Sequence, residues 1–167
     1  DGGINAGGTI FKFDVGSSSY TVLESFTGTT GLPINLGLSG DMLYGITSLG
    51  GANVVGSVFK YDLINDTYST IHDLELNEGY YRGAKLFLAS DNNLYGSLDE
   101  GGQNGFGSII KINTTNDDVT FPFHFSTSTG NTTLRSMITE VCIPPATPTG
   151  DSNQSFAEGA TIEDIVI

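Results

Sequence analysis

Few side chains in this 167-residue chain are of the types that do chemistry. The two histidines, His72 and His124, stand 52 positions apart and fall in what reads as the same strand of successive repeats, where an earlier copy has Glu24. A metal pair would need a third ligand that the neighbouring sequence does not supply, so both read as scaffold residues. The acidic pairs Asp73 with Glu75 and Asp99 with Glu100 are the carboxylates that a glycosidase or lyase would need. Neither pair recurs with a partner that sequence can place opposite it. Asp91-Asn92-Asn93, Asn65-Asp66 and Asn116-Asp117-Asp118 gather oxygen ligands of the kind calcium takes, but without EF-hand spacing. Tight polar turns account for them, so no cofactor is expected, with calcium as the alternative. The single cysteine, Cys142, has neither a disulfide partner nor a C-x-x-C neighbour. Tyr80-Tyr81-Arg82 lies in the longest inter-strand loop, and aromatics beside an arginine can stack on a sugar or anchor a partner. That stretch is the candidate binding site.

The lysines lead from chemistry to architecture. Lys12, Lys60 and Lys111 are half of the six basic residues, and each closes the same phrase. The phrases are Gly2-Gly3-Ile4-Asn5-Ala6-Gly7-Gly8-Thr9-Ile10-Phe11-Lys12, Gly50-Gly51-Ala52-Asn53-Val54-Val55-Gly56-Ser57-Val58-Phe59-Lys60 and Gly101-Gly102-Gln103-Asn104-Gly105-Phe106-Gly107-Ser108-Ile109-Ile110-Lys111. The step is 48 residues and then 51. A period near fifty marks a repeat architecture. The glycine stretches are not phosphate loops. Each glycine runs into Ser or Thr and a strand pattern, without the Gly-Lys-Ser/Thr that opens a helix in a P-loop. They read as turns that need positive φ. Asp14 and Asp62 follow their lysines by two places, which suggests a lysine stem lying along apolar surface with its head near that carboxylate.

Within each repeat the alternation is that of strands. Phe11 and Phe13, Phe59 and Tyr61, and Ile110 and Ile112 fall on one face, and Ile10, Val58 and Ile109 lead the other. A second strand follows in Tyr20–Phe26, Tyr68–Leu74 and Thr120–Phe125. Pro122 there removes a ladder donor and predicts an edge position or a bulge. Short apolar segments at 34–38 and 84–89 end in polar turns, as hairpins require. They lead into Met42-Leu43-Tyr44-Gly45-Ile46-Thr47 and Asn93-Leu94-Tyr95-Gly96-Ser97-Leu98. Each unit is thus four short antiparallel strands. The fold class is all-β and β-propeller-like, with four-stranded blades of about fifty residues. Three blades, the first incomplete, fit residues 1–141, and more blades are expected beyond them. Leu134–Val141 reads as a closing strand that could complete the first blade. Residues 142–150 read as a proline-rich linker and 151–167 as a tail.

Composition excludes several function classes. The net charge is -13 and the pI about 4.1, which leaves no basic surface to neutralise phosphates or meet anionic lipid. No nucleic-acid partner and no membrane insertion are expected, since no apolar run approaches the roughly 20 residues of a membrane span.

Leu-Tyr-Gly, Gly-Gly-x-Asn-x-x-Gly-[Ser/Thr]-[Val/Ile]-Phe-Lys and Tyr20-Thr21-Val22-Leu23-Glu24-Ser25-Phe26 together resemble the tandem repeats of large bacterial surface proteins, built around LYGTTxxGGxxxxGTVFK in Bacteroidetes and Verrucomicrobia. The resemblance covers residues 1 to about 126, and the third copy departs from it at Ile110 and Asn113. The stretch from Pro148 to Ile165 resembles the opening of a flavobacterial immunoglobulin-like module, with Ala157 where many of those have cysteine. These resemblances imply a secreted or cell-surface, non-catalytic module, exported by the type IX pathway if the source is a member of the Bacteroidetes. Its expected role is scaffolding or adhesion. Its expected partners are other domains of a larger parent protein and a surface glycan or protein. A carbohydrate-binding module using Tyr80, Tyr81 and Arg82 is the alternative, and a propeller glycosidase or lyase the third reading.

Overall fold

The structure is a computed structural model; it describes residues 5–27, 31–80 and 85–130, and the backbone of 139–141 and 164–166. The described elements are all strands: β1 (Ala6–Asp14), β2 (Ser19–Thr27), β3 (Pro33–Ser39), β4 (Met42–Thr47), β5 (Ser57–Asp62), β6 (Thr67–Asp73), β7 (Phe87–Leu88), β8 (Asn93–Leu98), β9 (Ser108–Asn113), β10 (Val119–His124), β11 (Thr139–Val141) and β12 (Asp164–Val166). β3 to β6 form a four-stranded antiparallel meander, and β7 to β10 form a second one. β1 and β2 make a two-stranded sheet that corresponds to the last two strands of each meander. A blade-like sheet therefore opens on the short apolar segment and closes on the Tyr68-type strand. The glycine phrase, at which the sequence period begins, is the turn in the middle of each sheet.

The sheets stack in chain order. Period-two alternation sends paired residues to a shared face. In the second sheet, Leu36, Leu43 and Phe59 face the first sheet and pack with Ile10, Leu23 and Phe26. Tyr44, Ile46 and Val58 face the third sheet and pack with Leu86, Leu94, Ile110 and Ile112. This second interface is the main core. A smaller cluster of Ala89, Tyr95, Ile109 and Phe125 lies on the far face of the third sheet. Strands β5 and β9 are buried on both faces, and the lysine near the end of each is only half-buried, as the alternation suggests. In β1 the pattern fails: Ile10 is buried, but Phe11 and Phe13 are exposed, because the described residues include no sheet that packs on that face.

Pro122 behaves as its chemistry demands. β10 is an edge strand in the described sheet, and its register with β9 breaks between Thr120 and Phe123. Among the described pairings, Thr139–Val141 pairs with Asp164–Val166 rather than with β1, so the closing strand does not complete the first sheet there. Leu134–Ile138, the linker, Cys142 and most of the tail lie outside the described residues.

Candidate functional site

Each residue type in the repeat phrase has a structural task that can be followed atom by atom. In the glycine turn, the Gly56 N–H donates to Gly50 O at 2.9 Å, and the Gly107 N–H repeats this with Gly101 O at 2.9 Å. The carbonyls of Gly56 and Gly107 then accept from the Leu74 and Phe125 N–H groups, both at 3.0 Å. The asparagine of Gly-Gly-x-Asn completes the clamp: Asn53 Nδ2 donates to Leu74 O and Asn104 Nδ2 to Phe125 O, each at 3.0 Å. The loop thus ties the β4–β5 turn to the end of β6, and the β8–β9 turn to the end of β10. Several amides that an anion would need are already donating within the loop. Gly51 has φ 71° and Gly102 φ 74°, and a Cβ on either would stand 2.6–2.7 Å from the Gly56 or Gly107 carbonyl oxygen.

Leu-Tyr-Gly has two functions. Gly45 lies under the Phe59 ring, where a Cβ would come within 2.1 Å of Phe59 Cζ. Tyr44 crosses to the third sheet, and its hydroxyl donates to Asp117 Oδ1 at 3.1 Å and to Thr114 O at 3.4 Å. Lys60 Nζ, the cross-strand neighbour of Tyr44, donates to the other oxygen of the same carboxylate. Tyr44, Lys60 and Asp117 form a polar seam between sheets at the rim of the main core. Burial pushes the Tyr44 hydroxyl up to about 12, with help from the hydrogen bond to Asp117 and its charge.

The carboxylate near Lys60 is therefore Asp117 of the next sheet, and Asp62 does not take that place. Asp62 closes its own turn, accepting from the Ile64 N–H at 2.8 Å, the Asn65 N–H at 3.0 Å and Asn65 Nδ2 at 2.7 Å. The Asn65 side chain, then the backbone donors, hold its carboxyl below the usual range. Asp14 does the same with Ser17. An Asp or Asn two places after a lysine is a local turn acceptor. The residue at six places, Ser18, Asp66 or Asp117, sits at the left-handed position of the turn with φ 53°, 50° and 63°. On the third sheet, Tyr95 and Lys111 occupy the places of Tyr44 and Lys60. Both approach Asp91 of their own sheet, the hydroxyl at 2.8 Å and Nζ at 3.7 Å, and Nζ lies 5.5 Å from the Tyr95 ring centroid.

The histidines are not equivalent. Cross-strand register puts His72 opposite Val58, as Glu24 is opposite Ile10, but His124 opposite Ser108, where the second sheet has Asp73. A one-residue slip moves a strand residue to the other face, so the spacing of 52 misled by one place. His72 Nε2 meets Glu78 Oε2 at 2.8 Å, and Glu78 also accepts from the Glu75 N–H at 2.9 Å, which pins the loop after β6. His124 Nδ1 accepts from the Gln103 N–H at 3.3 Å.

The aromatic candidate divides. The Tyr80 backbone bridges Glu100, with N–H to O distances of 2.9 and 3.3 Å. Its ring lies against Gly101, where a Cβ would be 2.7 Å from Cδ1 and Cε1. Tyr80 therefore packs the loop down. Tyr81 and Arg82 lie outside the described residues. Of the carboxylate candidates, Asp99 is buried and Glu100 is held through its backbone by Tyr80. Asp91, Asn65 and Asn116 serve turn hydrogen bonds, and among the described residues no group of three His, Cys, Asp or Glu converges as a metal would need. A shallow depression of about 520 Å³ opens beside Asn53, Glu75, Leu76 and Asn77. The sequence placed Asp117 only in a polar turn and did not show its part in the seam, and it did not show the clamp role of Asn53 and Asn104. The asparagines were visible as a recurrent letter, whereas Asp117 belongs to a partner 57 positions away.

An all-β chain of stacked, blade-like antiparallel sheets, with its repeated residues spent on turns and sheet-to-sheet seams, is a repeat module. The Gloeobacter/Verrucomicrobia repeat family matches residues 1–143, and the chain belongs to that family. No curated protein matches the chain. Among solved structures, the crystal structure of TolB from Acinetobacter baumannii is similar at 19% identity and a TM-score of 0.46, over 68% of this chain and 26% of that one. The chain spans about a quarter of that structure's length.

Proposed function

We propose that this chain is a non-catalytic repeat module of a larger secreted or cell-surface bacterial protein, serving as a rigid scaffold that presents loops to a partner. The observation that supports this reading is the use of the recurring polar residues: Asn53, Asn104, Tyr44, Lys60 and Asp117 hold turns and sheets together. A chain so acidic is suited to a salty exterior, where counter-ions screen its self-repulsion. We assign the tail from Asp151 to the opening of an immunoglobulin-like module. The partners are then neighbouring domains of the parent and a surface protein or glycan, with no cofactor required.

The test joins location with activity. Protease shaving of intact native cells should release peptides of this chain before any cytoplasmic marker appears. The purified chain should turn over no oligosaccharide in a glycosidase and lyase panel. Peptides that appear only after lysis would sink the surface role, and turnover abolished by Asp99→Asn would sink the non-catalytic one. A glycan array run on the same sample addresses the carbohydrate-binding alternative: retention lost in Tyr81→Ala and Arg82→Ala would favour it over the scaffold reading.

A further inference from the structure

The glycine turns of the second and third sheets are near copies. Asn53 Nδ2 holds Leu74 O and Asn104 Nδ2 holds Phe125 O, each at 3.0 Å. The Val54 N–H donates to Gly51 O and the Gly105 N–H to Gly102 O, each at 3.3 Å. Both asparagines are exposed. The two loops differ in what surrounds the asparagine. Asn53 is followed by Val54, whereas Asn104-Gly105 is the one Asn-Gly pair in the chain. Asp73 Oδ1 lies 2.8 Å from where a Cβ on Gly51 would stand, and His124 Nδ1 takes that place at Gly102, at 3.1 Å.

We propose that Asn104 is a modification site, converting spontaneously to aspartate and isoaspartate, and that the conversion releases the end of β10. The Gly105 amide nitrogen gives its proton to solvent and attacks Asn104 Cγ. A C–N bond forms, the Cγ–Nδ2 bond breaks, and Nδ2 leaves as ammonia after taking a proton from water. The product is a five-membered succinimide. Water then adds to one of its two carbonyls and opens the ring, to aspartate by one bond and to isoaspartate by the other. Water is the co-reactant throughout, and nothing is oxidised or reduced.

Three features select Asn104 over Asn53. The attacking nitrogen belongs to a glycine, which has no Cβ to crowd ring closure and reaches backbone angles closed to valine. The space is open, since a Cβ on Gly105 would meet nothing within 4 Å. Ring closure also builds negative charge on the asparagine oxygen, which a carboxylate such as Asp73 opposes and the His124 imidazole does not. Releasing the N–H from its 3.3 Å bond costs the same in both loops. The consequence falls on the clamp. Aspartate has no proton for Phe125 O and sets a carboxylate oxygen against that carbonyl. Isoaspartate adds a methylene to a loop closed by the Gly107 N–H to Gly101 O bond. Phe125 is buried with Ala89, Tyr95 and Ile109, so the third sheet carries a slow, irreversible loosening at its outer strand. The inference rests on the loop and not on the surface role, so either can fail without the other.

The test ages the full chain in neutral buffer and follows both loops by peptide mapping that separates asparagine, aspartate and isoaspartate. Asn104 should convert at least about tenfold faster than Asn53, the ratio that about 1.4 kcal/mol in barrier height gives. Gly105→Val, which copies what Val54 supplies at this place in the second sheet, should slow Asn104 by a similar factor. In hydrogen exchange the aged chain should lose protection at Phe125 and keep it at Leu74, and Asn104→Asp should reproduce that loss without ageing. A sample held in denaturant gives the reference rate. Conversion of Asn104 in denaturant but not in the folded chain would mean that the clamp shields the site. Equal rates at Asn53 and Asn104 would mean that their neighbours do not select between them. Either result, or full protection at Phe125 in the aged chain, would overturn the proposal.

Discussion

At the scale of single residues, the repeat phrase is set by close contacts and backbone angles. Ala6, Val54 and Gly105 share one left-handed turn position, with φ 58°, 62° and 80°. A β-branched residue there is strained, and the exposed Val54 side chain makes little contact to compensate. Val54→Gly should therefore raise stability by about 1 kcal/mol, read from denaturant midpoints. Gly45→Ala should do the reverse, by about 1–3 kcal/mol, because the Phe59 ring occupies the Cβ position. Replacing Phe59 by Leu in the same chain should recover part of that loss. The Tyr44 hydroxyl gives a pH handle. Its folded value of about 12 lies above the ordinary 10, so its contribution is complete below pH 10 and lost as pH rises from 10 to 12. Titration at 295 nm should show several late tyrosines, since burial also raises Tyr61, Tyr68 and Tyr95, and the Tyr44 component should move toward 10 in Asp117→Asn. The return is incomplete there, since burial is the larger cause. Asp62 and Asp14 act in the opposite sense: their lowered values stabilise the fold above about pH 3.8 and cease to do so as pH falls through them.

At the scale of elements, the question is what joins sheet to sheet. Leu94 is buried in the main core, and Leu94→Ala should cost about 2–5 kcal/mol. The Lys60–Asp117 pair is partly exposed, so a double-mutant cycle should return a coupling of about 1 kcal/mol, and Lys60 with Asp62 close to none. Asn53→Ala and Asn104→Ala should each cost about 1 kcal/mol. Faster amide exchange at Leu74 or Phe125 would show that the end of β6 or β10 had loosened. These elements were legible in the sequence to different degrees. The strand pattern, the glycine turns and the edge position at Pro122 follow from local chemistry, and local chemistry is what a sequence displays. Asp117 was hidden because the seam joins residues of different repeats, and two residues beyond Lys12 and Lys60 an aspartate offered a nearer acceptor. The histidines misled because strand register is fixed by pairing, not by counting from one copy to the next. Tyr80 has the composition of a binding residue, and only the structure reveals that its ring lies on Gly101.

At the scale of the whole molecule, charge and unfinished surface dominate. With a net charge of -13 the chain repels itself, so added salt should raise the melting temperature steadily through the range in which the Debye length falls from about 30 to about 8 Å. A flat response would mean that the acids are already neutralised in place. The open faces give the module a direction. The second sheet supplies Tyr44 and Lys60, and the third sheet answers with the turn residue Asp117. The first hairpin, though, has Ser18 where the other turns have Asp66 and Asp117. The seam also bears on how such a gene can lengthen. Because Lys60 and Asp117 lie slightly more than one period apart, a tandem duplication of one whole period rebuilds the same joint wherever in the period the DNA breaks. A gain of half a period would leave a bare aromatic face like that of Phe11 and Tyr20. Recombination can thus add or remove whole units without designing a new interface, and selection against exposed aromatics would keep the count integral.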